Sequence, residues 1–398
     1  MTPRALVYFT QFTTALGGSE YIPLTFVAEL QKRCRVTLAL NWRSDVGRAA
    51  ETMGIPVDMD ALEVVTVKPE GALARKLDAI LPFCRTRRLK KLARNADICI
   101  STVNMFDFGK PAHHFVFLLR HFGDNAFFDF VTGTPCRGWA LCRRKIRTFL
   151  AEGLLRPLLG MRSTRKILAD KREHIYPNSY YVEKLMRDFY GDFNSTVFYP
   201  PTTFEPAAPA PPRDPLLAVC LGQIFPEKRV AEMIGIVERA RELSGCELKL
   251  RIGGPLSPTP YVEKIRSLAA DRPWVELAGG VYGDAKPEFL QSAAYALHAE
   301  RDEAFGISVT EYLKAGLVPV VPDEGGAPEV VGDPELAYRD DEAAARILAR
   351  LLTDERFREE RRRHCAERAK VFSFARYMES QHRLLEGIVD AAIGEAKA

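Results

Sequence analysis

Residues 200–215 read PPTTFEPAAPAPPRDP, with seven prolines in sixteen positions. Proline fixes φ and carries no backbone N–H, so the stretch sustains neither helix nor sheet and reads as a semi-rigid connector. The same pattern stands on both sides of it. Before it, ALVYFT (5–10) is a short apolar run, QFTTALGGSE a glycine-bearing loop, YIPLTFVAELQKRC (21–34) apolar at helical spacing, and RVTLAL (35–40) a second apolar run. Together they predict a βαβ unit. ADICIS (96–101) and FVFLL (115–119) extend the strand series, and a Leu- and Arg-rich helical stretch lies between 137 and 172, broken at Pro157. After the connector, the strand-like runs LLAVCLG (216–222), ELKLRIGG (247–254), WVELAG (274–279) and LVPVV (317–321) are separated by helical VAEMIGIVERAREL (230–243), YVEKIRSLA (261–269) and VTEYLKA (309–315). The expected class is α/β, with two parallel-sheet domains whose strand ends face a ligand cleft. The expected bounds are 1–200 for the first domain, 201–215 for the linker, 216–372 for the second domain and 373–398 for a closing amphipathic helix that packs back on the first.

A chain of 398 residues exceeds what one hydrophobic core usually serves, in keeping with two domains. No run of eighteen apolar residues occurs, and MTPRALVYFT reads as a first strand rather than a secretion signal. The eight cysteines (34, 84, 99, 136, 142, 220, 246, 365) form no CxxC pair and no metal-type cluster with histidine. That pattern suits a reducing cytoplasm and argues against a disulfide framework or a zinc site. Residues 1–200 carry 30 Lys and Arg against 19 Asp and Glu, whereas the remainder carries 26 against 33. The basic first half suits an anionic partner. Its excess sits in Arg85-Thr86-Arg87-Arg88-Leu89-Lys90-Lys91 and Arg143-Arg144-Lys145-Ile146-Arg147. Neither run has aromatics spaced for base stacking, so nucleic acid is set aside. Contact with an anionic membrane surface and a plain solvated helix face both stay open.

Three places carry candidate chemistry. Gly17 and Gly18 lie between the first strand and first helix, where glycine lets backbone approach an anion and an ordinary tight turn is the competing reading. Lys228, in LGQIFPEKRV, follows a strand after a short loop. Its ammonium could neutralise a diphosphate, or Lys228 and Arg229 could be the exposed first turn of the next helix. In HAERDEAFGISVTE (298–311), Ser308 stands three before Glu311 ahead of an apolar run, the spacing of a capping box. Backbone N–H groups from Phe305 to Ser308 would then suit a phosphate. Glu311 could return to the Ser308 N–H or accept from the vicinal hydroxyls of a ribose, and Glu303 could hold sugar hydroxyls.

The spacing of Glu303 and Glu311, with AFG after the first and EYLKAGLVPVV and GGAPEVV after the second, resembles the GT-B glycosyltransferases of the large retaining family (group 1, family 4) whose signature is E-x7-E. PNS at 177–179, VFYPP before the linker and G-x4-EK at 222–228 match in the same order. The resemblance implies two Rossmann-like domains and a nucleotide-sugar donor. It implies that Gly17 and Gly18 approach the donor phosphates, that Lys228 pairs with the diphosphate, that Glu303 contacts the transferred sugar, that the backbone at Phe305, Gly306 and Ile307 cradles phosphate, and that Glu311 binds the ribose. Gln223 stands where many members have arginine, so one diphosphate cation is missing or supplied elsewhere. That change, with LHAERDEAFGI and VFYPP, is similar to the branch that transfers mannose from GDP-mannose to lipid-linked oligosaccharides. The resemblance further implies catalysis without a cofactor or metal, and a glycan or lipid-linked acceptor. It also implies a cytoplasmic enzyme, peripheral on the inner membrane face, in surface polysaccharide or glycolipid assembly. His121, after FVFLL, fits an acceptor-side histidine, with His113 and His114 as weaker competitors. A UDP-sugar transferase with a soluble acceptor and a non-catalytic nucleotide-binding protein of this fold are the alternatives.

Overall fold

The computed structural model of the chain describes residues 2–12, 18–69, 71–80, 83–117, 127, 154 and 156–395. They form two compact units, Met1–Pro201 together with Tyr377–Ala398, and Thr202–Arg376. The first is built on six strands, β1 (Arg4–Phe9), β2 (Arg35–Leu40), β3 (Glu63–Thr66), β4 (Ile98–Ser101), β5 (His113–Val116) and β6 (His174–Pro177), in the order β3-β2-β1-β4-β5-β6. The second has β7 (Asp214–Leu221), β8 (Lys249–Gly253), β9 (Val275–Gly279), β10 (Ala293–Leu297), β11 (Val318–Pro322) and β12 (Ala337–Tyr338), in the order β12-β11-β10-β7-β8-β9. Every pairing is parallel. Counted within its own unit, each sheet has the doubly wound order 3-2-1-4-5-6.

Parallel neighbours need crossover connections, and these put helices over the sheet and bury its strands. Every β1 residue after Arg4 is buried, as is the whole of β11. The apolar runs predicted as strands at 35–40, 216–222 and 274–279 are β2, β7 and β9, each within two residues of its expected ends. β5 starts at His113 rather than Phe115, because pairing with β6 begins at His113 and His174. β10, with sequence AAYAL, had no sequence signal. Alanine has little strand preference, and burial between β7 and β11 forms the strand. Of the stretch 137–172, residues 137–153 and 155 lie outside the described residues. The rest includes a helix at Thr164–Ala169.

From Thr202 onward the proline-rich segment packs as part of the second unit. Thr202 and Phe204 are buried, and β7 already begins at Asp214. The Gln291 side chain accepts from the Ala207 N–H (2.6 Å) and donates to the Ala207 carbonyl (3.2 Å), and Arg213 donates to the Ala315 carbonyl at 2.9 Å. Proline removes a donor but leaves carbonyls and apolar rings free to pack. The helix Phe374–Glu395 belongs, from Tyr377 onward, to the first unit. There Gln381 donates to the Thr25 carbonyl (3.0 Å), Tyr377 meets the Thr25 hydroxyl (3.3 Å), and Arg33 pairs with Asp390 (2.7 Å).

The first unit also buries a charged network. Glu173, 1% exposed, accepts from the Ala112 N–H (2.8 Å), contacts His114 Nε2 (2.9 Å) and pairs with Arg162 (2.7 Å). Arg162 also meets Asp107 at 2.9 Å, and Asp107 pairs with Lys90 at 2.6 Å. His114 is therefore a core residue. His113 stacks on His174 with ring centroids 5.0 Å apart and contacts the Tyr176 hydroxyl (3.1 Å), so both weaker histidine candidates are taken up inside the sheet. Breaking a buried pair leaves an uncompensated charge. Glu173→Ala is expected to cost about 3 kcal/mol, read as a lower urea midpoint at unchanged m value. An unaltered midpoint would contradict the network's structural role.

Candidate functional site

The strand order of the second sheet reverses between β7 and β10, and a parallel sheet offers a ligand crevice beyond its carboxyl ends at such a point. Past β7 the chain makes a short 3-10 turn, Pro226–Lys228, with Pro226 preset for its first position. Past β10 it runs into His298-Ala-Glu300-Arg-Asp-Glu303. The two segments meet at one ammonium. Lys228 Nζ lies 2.9 Å from Glu303 Oε2 and is also paired with Glu300. Arg229, in the left-handed region at φ 54 and ψ 40, separates the turn from the helix Val230–Ser244 and is ion-paired to Asp341 at 3.2 Å. A side-chain-bearing residue rarely adopts this conformation. Lys228 thus precedes the helix instead of forming its exposed first turn.

Burial dominates the electrostatics. It pushes the Glu300 carboxyl up to about 7, reinforced by the facing Glu303 carboxylate and opposed by Lys228. Burial would also raise Glu303, but the Lys228 charge outweighs it and holds that carboxyl down at about 2. For Lys228 itself, burial works against the charged form, and Glu303 and Glu300 overcome it and raise its pKa. His298, 3% exposed, is lowered to about 4 by burial, and its Nε2 has no hydrogen-bond partner. One side-chain nitrogen or oxygen from each of His298, Glu300 and Glu303 lies within 4.8 Å of the others, and the two carboxylates share the Lys228 ammonium.

The loop bearing Glu303 rests on a glycine pair. Gly326 N–H donates to the Glu303 carbonyl at 2.7 Å, and a Cβ on Gly326 would stand 2.5 Å from the Ala304 carbonyl oxygen. Gly325 has φ 82, and a Cβ there would stand 2.6 Å from the Arg301 carbonyl oxygen. Phe305 is buried against Phe372, with ring centroids 5.9 Å apart.

The next helix, Ile307–Lys314, has Gly306 as its N-cap at φ 100 and ψ 62 with no side-chain cap. The capping-box reading is therefore corrected. Ser308 lies inside the helix, because Gly306 takes a left-handed conformation that starts it two residues earlier than a Ser308 cap would. The Glu311 carboxylate, 7% exposed, goes to Lys286 Nζ at 2.7 Å rather than back to the Ser308 N–H. The first N–H groups of a helix have no partner one turn back, so this start presents donors from a backbone that carries no cap. Tyr312 Oη accepts from the Leu221 N–H (2.7 Å), and the Thr310 and Thr202 hydroxyls meet at 2.7 Å. These contacts fix the helix against β7 and the start of the unit.

Of the sequence-predicted residues, Lys228 and Glu303 are brought into direct contact. Glu311 joins Lys286 instead of them, Phe305, Gly306 and Ile307 form the helix entry, and Gln223 is exposed in the loop after β7. Gly18 opens the helix Gly18–Gln31 in the first unit, whereas Gly17 and His121 lie outside the described residues. Glu300, His298 and Lys286 had not been singled out. The first two sit in the same HAERDE stretch, but charge alone did not distinguish them from a solvated loop.

Residues 202–372 match the family model of group 1 glycosyl transferases. No curated protein sequence matches the chain. Among solved structures, Anabaena HepE in complex with UDP-glucose aligns at 14% identity over 97% of this chain and 100% of its own, with a TM-score of 0.63. Sucrose-phosphate synthase from Thermosynechococcus elongatus aligns at 14% identity over 98% and 100%, with a TM-score of 0.65. WaaG, a glycosyltransferase involved in lipopolysaccharide biosynthesis, aligns at 15% identity over 96% and 99%, with a TM-score of 0.57. The fold is GT-B. Within it, the Lys228 cluster falls in the segment that the family model covers. Overpacking of this kind costs about 1–3 kcal/mol, so Gly326→Ala is expected to lower the unfolding midpoint accordingly and to displace the 303–305 backbone. A crystal structure of that variant with the loop unmoved would show that the glycine is not needed for close approach.

Proposed function

We propose that the chain is a retaining glycosyltransferase that moves a hexose from a nucleotide-diphosphate sugar to a glycan or lipid-linked acceptor. The observation that carries this is the Lys228–Glu303 pair at 2.9 Å beyond the reversal strands, within the segment matching group 1 glycosyl transferases. In this reading the acceptor hydroxyl attacks the anomeric carbon as the bond to the diphosphate breaks, and its proton passes to the leaving phosphate oxygen on the same face. Lys228 neutralises the charge growing on the diphosphate, and the uncapped N–H groups at Gly306 and Ile307 add donors. Glu303 holds the sugar, and Glu311 accepts from the ribose hydroxyls once Lys286 shares or yields its carboxylate. Gly17 and Gly18 contribute backbone donors, and His121 serves the acceptor side. The chemistry requires no metal.

GDP-mannose is the first donor to test, on the strength of Gln223 and the LHAERDEAFGI and VFYPP stretches. UDP-sugars are the second reading, favoured by the HepE complex with UDP-glucose, and the sucrose-phosphate synthase likeness favours a soluble acceptor with them. A panel of GDP- and UDP-sugars separates the two, since a ligand that binds only the folded chain stabilises it by about 2.7 kcal/mol at a hundred times its Kd. No thermal shift with any of them would sink the transferase reading. With the donor in hand, Glu303→Ala and Glu311→Ala are each expected to lower kcat by about 10²–10³ while leaving the chain folded. Fully active variants would return both acids to structural roles.

Peripheral membrane contact is proposed for the first unit. No helix among the described residues is long and apolar enough to cross a membrane. On the helix Phe83–Ala93, Lys90 is tied to Asp107 and Arg85 lies over Phe106, which leaves Arg87, Arg88 and Lys91 exposed. The run 143–147 lies outside the described residues. Binding to vesicles containing phosphatidylserine is expected to weaken with salt and to lose about 1 kcal/mol for each of these three changed to Ala. Salt-independent binding, or none, would remove membrane contact from the proposal.

A further inference from the structure

Glu300 has no part in the reaction as proposed, yet it shares the Lys228 ammonium with Glu303. Its carboxyl is 6% exposed and touches Lys228, and the second carboxylate on that ammonium, Glu303, also faces it. With both acids ionised, the three groups sum to one negative charge in a mostly buried place. A diphosphate brought to Lys228 adds two more. The other charged groups packed around the cluster are already engaged. Arg229 pairs with Asp341 and Glu232, Arg301 with Asp323 and Glu324, and the Tyr338 hydroxyl donates to the His298 carbonyl at 2.8 Å. His298, buried and neutral beside Glu303, supplies no compensating charge. A proton on one carboxyl relieves the excess within the cluster. Glu300 is the one to take it, because Glu303 accepts the Lys228 hydrogen bond at 2.9 Å while burial of Glu300 favours its neutral form.

Resting on the donor site proposed above, we propose that Glu300 is a positioning residue for Lys228: it helps hold the ammonium before the donor arrives, and takes up a proton from solvent when the donor diphosphate claims that ammonium. The sign follows from linkage. The carboxyl is raised to about 7 before binding, and the incoming negative charge raises it further. Donor binding then consumes a proton at pH values between that midpoint and the higher midpoint of the bound state, and none well outside that window, so affinity falls as pH rises across it. The pair titrates as a unit, and the carboxyl that gains the proton is the one not needed to hold the sugar.

The test is isothermal titration calorimetry on the full chain with the sugar nucleotide identified by the panel, between about pH 6.5 and 8.5 and in two buffers of different ionisation heat. A sugar nucleotide is the proper probe, since the terminal phosphate of a free nucleoside diphosphate itself titrates near about 6. The expected result is a Kd that rises with pH toward about tenfold per unit at full coupling, with buffer-dependent heat reporting proton uptake. Glu300→Gln keeps the shape and loses the charge, and Glu300→Ala loses both. Each is expected to flatten the slope and abolish the uptake. A wild-type Kd indifferent to pH and buffer overturns the inference, as does a slope retained in either folded variant. Failure to bind at any pH takes down the transferase reading as well, whereas binding without a slope removes this inference alone.

Discussion

A parallel strand reaches its neighbour only through a crossover, and that constraint organises both halves of this chain. Each sheet is wound outward from a central pair of strands, β1 with β4 and β7 with β10, so successive crossovers leave those pairs on opposite faces. No helix can close over the carboxyl ends at the reversal, and the loops leaving the two strands are brought together there. In the second unit those loops carry Lys228 on one side and Glu300 and Glu303 on the other. The charges are neighbours because of the winding, although 72 to 75 residues separate them in the sequence.

Holding an ammonium between two carboxylates takes rigid backbone on both sides, since unpaired charge at this depth is costly. The β7 side is set by a proline-started turn that ends on a left-handed Arg229, itself pinned to Asp341. The β10 side is set by Gly325 and Gly326, whose missing Cβ atoms let the 301–305 backbone lie against the turn. Unusual backbone thus flanks the cluster on either side, in keeping with the tendency of such conformations to collect at functional sites.

The first unit contains a comparable set of charges with a different character. Glu173 is met by a backbone N–H, a histidine and an arginine, and it is sealed from solvent. The Ala112 N–H bond, the His114 contact and the Arg162 ion pair tie β5 and β6 to the segment that bears Arg162. The Lys228 side chain keeps 29% of its surface exposed, and its two acids compete for one cation. A network sealed from solvent stiffens a fold, whereas one beside solvent can exchange a partner for a ligand.

Periodicity made most of the secondary structure legible, because helices and buried strands impose spacings that apolar residues must follow. The two-unit plan, β2, β7, β9 and the long closing helix could all be read from such spacing, whereas the roles of Glu303, Lys228 and Glu311 were implied by the family resemblance of their motifs. AAYAL carried no strand signal, since alanine becomes a strand there only by being enclosed. Ser308 and Glu311 had the spacing of a capping box, but Gly306 offered the helix an earlier start and Lys286 offered the acid a better partner. Glu300 looked like one more charge in a polar loop. Local sequence determined which segments could be helix or strand and which residues could bear charge, because those properties depend on near neighbours. Which charges share a cation was decided only by the tertiary fold, because burial and long-range contact set both their partners and their protonation.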